Sequence, residues 1–528
     1  MEVDNALKEK RKFRNILSEK YDKIKNKKIF YFIIILICYI PTYIAMFPLI
    51  YTYDVPQQVH NSISTANPLI HTILIKLFAE MGKSIGSITI GMTLFVLCQA
   101  VIMIAAFSET IDFIKRKTNN KVLEIISLLF FALFPFNKLF LCYATKDVFF
   151  AGFTLLAMIY LIDIIDGTKS KTKDCILGTI FLLLMISFRL NSVYALAVTI
   201  PFMIIALHKN KNLMTKIFIM FIVSILLYIG VNKLIISILH INDTNGVGAS
   251  FQIHQAIGLI TIEHEDELSE NEKEKINYYY GGIENVKRNF NGYIADGMVK
   301  SLKQENYNKN PEEYNKFTKE LIKRYPKTVL KSLLNTSRGY WYIMDDSFNK
   351  IGKSYDNHQF GCLTITFEIP MSKESSEEEK RETALKYKDE IKKNVRFPYV
   401  DGEVKREEIL NYYNLFPKLR NFYKWLFCKN NYKKLPVLYV FFQPGIYTYI
   451  TIAYLLLGIY RRQKEVIITG MYLLLYIGTC MLGPCSTIKY IYCIIVMSPI
   501  MVSYFFTKRK KGDIIQSEKE GEKWNKNF

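Results

Sequence analysis

The sequence predicts an all-α polytopic membrane protein of about ten transmembrane helices, with a mainly helical extracytoplasmic insert that contains some strand. Three observations lead there. Half of the 528 residues are hydrophobic, and they come in long blocks rather than in the spaced stripes of soluble helices. A run of about 18 apolar residues is long enough to cross the hydrocarbon core as a helix. The basic residues, 69 against 48 acidic and a net charge of +21, cluster in short stretches between the blocks, as orientation by positive charge requires. That placement excludes nucleic acid as the partner of the positive charge.

The expected spans are 29–50, 84–107, 122–140, 147–165, 175–190, 191–207, 217–239, 436–460, 466–482 and 489–507. Residues 1–28 form a basic N-terminus. The block Ile29–Ile50 is too long for a cleaved signal and no small-x-small site follows it, so it reads as a retained anchor. With that N-terminus cytoplasmic, the basic blocks Lys8–Lys28, Lys115–Lys121, Lys169–Lys173, Lys209–Lys216, Arg461–Lys464 and Lys508–Lys511 all fall inside. An even number of spans then returns the tail 508–528 to the cytoplasm. The N-terminal membrane module is 29–239, with a first external loop at 51–83. The C-terminal module is 436–507.

The region between them, 240–435, is roughly balanced in charge and long enough to fold outside the membrane. Helical pattern dominates to about residue 335, including an acidic run at Glu263–Lys275. Leu363–Ile369 alternates like a strand, and Ser372–Glu379 reads as a charged loop. Asn335–Tyr342 is aromatic and glycine-bearing; it reads as a packed turn, or as a segment docking the insert onto the membrane or stacking on a sugar ring. Nine cysteines show no CxxC or Cys/His metal spacing, and most lie in apolar blocks as small hydrophobes. Only Cys362 and Cys428 fall in the hydrophilic region, where they could pair. The Lys, Asn, Ile and Tyr bias points to an AT-rich bacterial genome.

Polar clusters sit at the expected external ends of the spans. The first follows the first span and contains Asp54, Gln58 and His60. A carboxylate there suits a general base for an acceptor hydroxyl, with the amide and imidazole as hydrogen-bonding neighbours; a solvated loop is the plain alternative. Next comes a short apolar run, Pro68–Phe78, too short to cross, which fits an interfacial or re-entrant helix. Pro68 suits its first turn, with Asn67 as cap, and His71 then faces the same interface as Asp54.

Lys146 and Asp147 open a later span. Such a pair is costly in lipid and should face a cavity: Lys146 would bind phosphate, and Asp147 would orient it or bind a metal. The alternative is a snorkelling pair. Arg189 and Asn191 lie between two spans with almost no loop, and a guanidinium suits bidentate phosphate recognition. Snorkelling would also account for Arg189. Lys489 and Tyr490, in the turn before the last span, could reach the same phosphate or mark the interface.

Taken together, an early Asp in the first external loop, an Asn-Pro helix, a Lys-Asp pair, an Arg-x-Asn turn and a Gly-Pro…Lys-Tyr turn resemble the GT-C superfamily. These are integral membrane glycosyltransferases that use polyprenyl-phosphate-linked sugars. The likeness covers mainly 29–240 and 436–507 and is nearest to an uncharacterised bacterial group of that type. Asn67 stands where a His before Pro is usual, and Lys489 where an Arg before Tyr is usual.

The resemblance implies inverting transfer of a sugar from a polyprenyl-phosphate donor to a cell-envelope acceptor hydroxyl at the outer face of the cytoplasmic membrane. Asp54 would be the base, and Lys146, Arg189 and Lys489 would hold the donor phosphate. Gln58, His60, His71, Asp147 and Asn191 would be supporting polar groups. Some relatives use a divalent metal, and Asp54 and Asp147 would be its ligands. The alternatives are a polysaccharide polymerase, a lipid-sugar flippase, or a non-enzymatic transporter or assembly protein. A flippase needs charge deep in several spans, and a transporter commonly shows internal repeats; neither is evident.

Overall fold

The computed structural model describes residues 27–47, 50–51, 55, 58–59, 63–85, 88–241, 251–343, 415–428 and 431–507. Asp54, His60, the expected strand Leu363–Ile369, the charged loop Ser372–Glu379, Cys362, the side chain of Cys428, residues 1–26 and the tail 508–528 lie outside that description.

The membrane module begins with α1 (Lys27–Met46), β1 (Ile50–Tyr51), α2 (Leu69–Ser84), α3 (Ile88–Thr118), α4 (Lys121–Leu133) and α5 (Pro135–Phe140). It continues with β2 (Tyr143–Ala144), α6 (Lys146–Ile165), α7 (Thr172–Phe188), α8 (Leu190–Leu207) and α9 (Lys211–Ile238). After the insert come α18 (Pro417–Tyr423), α19 (Pro436–Phe441), α20 (Pro444–Arg461), α21 (Lys464–Met481) and α22 (Tyr492–Ser503). Six of these, α1, α3, α6, α8, α9 and α21, are long and apolar enough to cross a membrane. The protein is therefore an all-α, multi-pass membrane protein. The other expected spans are also helical but shorter or broken. Pro135 interrupts one of them, because the residue before a proline is pushed out of the helical region and Phe134 accordingly sits at ψ 117°.

Burial identifies the lipid-facing side. On α1, Tyr31, Ile35, Tyr39 and Thr42 are buried, while Ile29, Ile33, Ile37, Ile40 and Ile44 point outward. A helix that is apolar on its inner and outer faces alike belongs in hydrocarbon. The central helix is α6, whose residues are nearly all buried among α3, α7, α21 and α22. Its 20 residues span about 30 Å, the thickness of the hydrocarbon core.

Charge collects at both ends of α6. At its C-terminal end the fully buried Asp163 is ringed by Arg116 (3.2 Å), Lys117 (3.1 Å) and Lys169 (2.8 Å). Lys28 at the start of α1 joins this end through Glu109 at 2.6 Å. Thus α1 starts where α3 and α6 finish, and three of the basic blocks meet there.

The insert packs around its own core of Ile257, Ile260, Ile276, Tyr280, Phe317 and Leu321. It comprises α10 (Phe251–Glu263), α11 (Glu270–Tyr280), α12 (Ile283–Asn289), α13 (Asp296–Ser301), α14 (Gln304–Lys309), α15 (Pro311–Arg324), α16 (Pro326–Thr336) and α17 (Arg338–Trp341). The acidic run Glu263–Lys275 is not one helix. It breaks at Ser269, whose hydroxyl caps α11 while Glu272 reaches back to the Ser269 amide, a reciprocal pair that starts a new helix. Among the described residues of the insert the only extended pairing is an isolated bridge between Asn291 and Ile294.

Candidate active site at the N-terminal end of α6

The site is assembled where α6 begins. β1 and β2 pair in parallel, Ile50 with Tyr143 and Tyr51 with Ala144, which joins the end of the first helix to the start of the central one. Two residues per strand cannot hold such a pairing alone. Gln99, fully buried in α3, supports it: its amide nitrogen donates to the Tyr143 carbonyl at 2.7 Å and its oxygen accepts from the Thr145 amide at 3.3 Å. Thr145 in turn caps α6, accepting from the Asp147 amide at 3.3 Å. A carboxylate in the first helical turn is favoured by the exposed amides there, so Asp147 sits where its charge costs least.

Asp147 is buried and pairs directly with the Arg189 guanidinium. Arg189 is a single extended residue between α7 and α8, at φ −152° and ψ 110°. This abrupt reversal leaves no loop to carry its side chain into water, and it is only 9% exposed. The guanidinium carbon lies 4.5 Å from the centre of the Tyr490 ring, and the Lys489 ammonium lies 5.3 Å from the same ring. Two cations therefore lie against one aromatic ring, an attractive arrangement for each when partly desolvated. Asn191 accepts from Arg189 Nε at 3.4 Å and donates to Thr479 Oγ1 at 3.0 Å, tying the junction to α21.

Lys146 turns toward α2 and donates to Asn67 Oδ1 at 2.7 Å. This corrects the expected cap. Pro68 itself occupies the cap position of α2 and accepts the Thr72 amide at 3.1 Å, while Asn67 receives the ammonium instead. The position of His71 is also corrected. It is 1% exposed rather than facing the interface, edge-on to Phe95 and Phe188, with its Nδ1 3.3 Å from Gln58 Nε2. Gln58, also buried, donates to Thr72 Oγ1 at 2.7 Å. An imidazole packed on phenylalanine rings serves the α2–α3–α7 junction.

The turn 483–490 forms the remaining wall, and the insert holds it. Tyr340 is fully buried; its hydroxyl accepts from the Thr487 amide at 3.0 Å and reaches the Thr487 carbonyl at 3.3 Å. Ser486 Oγ accepts from the Gly339 amide at 3.1 Å, and Gln252 donates to the Gly483 carbonyl at 2.8 Å. The Ala295 amide donates to the Pro484 carbonyl at 2.8 Å. Burial pushes the Cys485 thiol up to about 12, so it stays protonated and unreactive. The Asn335–Tyr342 stretch thus docks the insert, through Tyr340, onto this turn.

Of the expected site residues, the structure brings Asp147, Arg189, Asn191 and Lys489 together and sets Lys146 beside them on the α2 side. Gln58 and His71 lie one layer away behind Phe188. Asp54 is outside the described residues, between Tyr51 and Val55 in sequence. Gln99 was missed; an amide inside a 31-residue apolar helix was the available signal. As to a metal, among the described residues no group of three His, Cys, Asp or Glu side chains could hold one. Asp147 uses Oδ1 for Arg189, and its Oδ2 accepts from Thr145 Oγ1 at 3.2 Å, so this carboxylate does not fit an open metal ligand.

A family model matches residues 41–520 and is described as a family of unknown function, DUF6020. The chain belongs to that family. The DUF6020 match takes in the first membrane module from residue 41 onward, the insert, the second membrane module and every candidate residue from Asp54 to Lys489. No curated protein and no solved structure matches the chain.

Proposed function

We propose that this protein is a GT-C type membrane glycosyltransferase, moving a sugar from a polyprenyl-phosphate donor to a hydroxyl of a cell-envelope acceptor. The reading takes the ten apolar segments as spans, places both termini in the cytoplasm, and puts the insert and the N-terminal end of α6 at the outer face. The observation that carries it is the convergence at that end of Lys146 and Asp147 from α6, Arg189 from the α7–α8 junction and Lys489 from the turn 483–490. A second support is the β1–β2 pairing, because the chain reaches Asp54 three residues after Tyr51 and reaches Lys146 two residues after Ala144.

In this mechanism Asp54 takes the proton of the acceptor hydroxyl as its oxygen bonds to the anomeric carbon from the face opposite the phosphate. The carbon–oxygen bond to the phosphate breaks, and its electron pair leaves with the phosphate, inverting the centre. The charge growing on that phosphate requires preorganised cations. Lys146 and Lys489 are half-buried and meet the phosphate first. Arg189, held between Asp147 and Tyr490, adds its field from behind. Asp147 is a positioning residue, fixing the guanidinium. No step requires a metal.

The test is transfer of labelled sugar from polyprenyl-phosphate donors in membranes carrying wild type, Asp54→Asn or Lys146→Met at matched folded levels. Transfer by wild type and its loss in both variants is expected. Transfer that survives Asp54→Asn removes the mechanism. Absence of transfer from every donor sugar, with the protein intact, would favour a transporter or assembly role.

A further inference from the structure

The turn 483–490 carries Lys489 and the Tyr490 ring, yet it lies outside any helix or strand, so partners for its backbone must come from elsewhere. The insert supplies them at one residue. Thr487 is buried, and its amide donates to the Tyr340 hydroxyl at 3.0 Å. Tyr340 is fully buried too, and its hydroxyl has the carbonyls of Cys485 at 3.4 Å and Thr487 at 3.3 Å to donate to. The Thr487 carbonyl also accepts the Tyr490 amide at 3.2 Å. A single residue therefore joins the phenol of the insert to the residue whose ring lies 4.5 Å from the Arg189 guanidinium. Lys489 stands between these two points, and its own carbonyl accepts the Tyr492 amide at 3.3 Å where α22 begins.

A side chain can position another only if it is itself fixed. α17, which carries Tyr340, is four residues long and is held from both sides. Before Tyr340, the Gly339 amide donates to Ser486 Oγ at 3.1 Å. After it, Tyr449 of α20 donates to the Trp341 carbonyl at 2.7 Å. Gly445 of α20 leaves room for the Tyr342 carbonyl, which a Cβ there would meet at 3.3 Å. α20 packs along α21, one of the six membrane-length helices. The Tyr340 hydroxyl is thus a fixed point relative to the membrane module, although it belongs to the insert. Removing it leaves the buried Thr487 amide without its acceptor, and the turn must shift or open to find another.

We propose that Tyr340 is a positioning residue of the outer site: through Thr487 its hydroxyl holds Lys489 in register with Arg189 for the phosphate of a lipid-linked donor. The inference rests on the transferase reading above. Tyr340 touches no reacting atom. It acts by removing freedom from the backbone that carries Lys489, whose ammonium must come within hydrogen-bond reach of the phosphate. A misplacement of about 1 Å there can cost roughly a hundredfold in rate. Phenylalanine fills the same space without the hydroxyl, so Tyr340→Phe separates this role from packing.

The test compares wild type, Tyr340→Phe, Lys489→Met and the double variant as full chains in nanodiscs. Transfer of labelled sugar from polyprenyl-phosphate donors is measured per folded protein, with amide exchange read in parallel. Tyr340→Phe is expected to lower kcat/KM by roughly tenfold or more and to speed exchange at Thr487 and Tyr490. Tyr280→Phe, which removes a buried hydroxyl from the insert core, leaves both unchanged. In the Lys489→Met background Tyr340→Phe should cost only about twofold further, because the group it positions is gone; a general loss of folding would multiply the two effects instead. Should Tyr340→Phe not fold, Ser486→Ala, which loosens the same turn from α17, takes its place in the cycle. Effects that multiply, or unchanged exchange at 487 and 490, overturn the proposal while an active parent keeps the transferase reading. A parent that transfers from no donor removes that reading, and the proposal with it.

Discussion

Removing one partner of the Asp147–Arg189 pair should be among the most damaging single changes in the membrane module. Asp147 is 2% and Arg189 9% exposed, so neither charge has water to replace a lost partner. Breaking a buried pair from one side leaves an uncompensated charge and costs about 3–5 kcal/mol. Arg189→Met removes the cation and strands the Asp147 carboxylate, which keeps only Thr145 Oγ1. Asp147→Asn strands the guanidinium, which keeps the Tyr490 ring and Asn191. The double variant removes both charges and should recover much of either loss, because apolar replacement of a whole buried pair is often close to neutral. The assay is a double-mutant cycle on detergent-purified full chain, read by denaturant unfolding. Single-variant losses below about 1 kcal/mol that add in the double would refute a buried, coupled pair.

Three further outcomes follow from the packing. Gln99→Leu should cost about 2–3 kcal/mol and raise amide exchange at 143–145, since it leaves the Tyr143 carbonyl and the Thr145 amide without their side-chain partner; unchanged exchange there would contradict the clamp. Gly91→Ala should prevent α2 and α3 from packing, because the added Cβ would meet Gly82 Cα at 2.7 Å, backbone that cannot swing aside, and its folded yield should fall well below that of Ala100→Ser. His254 is held at a pKa of about 4 by burial, against an ordinary value near 6.5, so between those values the unfolded chain binds more protons and the insert loses stability as pH falls. The loss from pH 7 to pH 4 is roughly 3 kcal/mol, read as hydrogen exchange in α10, α11 and α15, and His254→Gln should flatten it.

Much of the architecture was legible because a bilayer leaves few choices. The expected spans 29–50 and 217–239 had to be helical in lipid, since each helix satisfies its own backbone groups, and they correspond to Lys27–Met46 and Lys211–Ile238. The site was legible where a charge stood at a helix end with no loop to hide in, as with Arg189 and Lys146. It was not legible where the deciding contact is between distant segments. That Arg189 spends its charge on Asp147 depends on how α6 and α7 meet, which no local pattern encodes. The same holds for His71: its spacing from Pro68 placed it on the first turns of α2, but Phe188, far along the chain, turns that face into core. Asn67 read as a cap from its neighbours alone, and a lysine nearly eighty residues away claimed its oxygen instead.

The turn 483–490 makes the insert part of the site rather than an appendage. Tyr490 presents its ring to Arg189 while its carbonyl accepts the Tyr476 hydroxyl at 2.7 Å, so its position is set by α21 on one side. On the other side Tyr340, Gly339, Gln252 and Ala295 bind residues 483–487 through backbone and side-chain groups that cannot slide independently. A displacement of the insert must therefore move Lys489 and Tyr490 or break several buried hydrogen bonds, each worth about 1 kcal/mol net and more if left unmade.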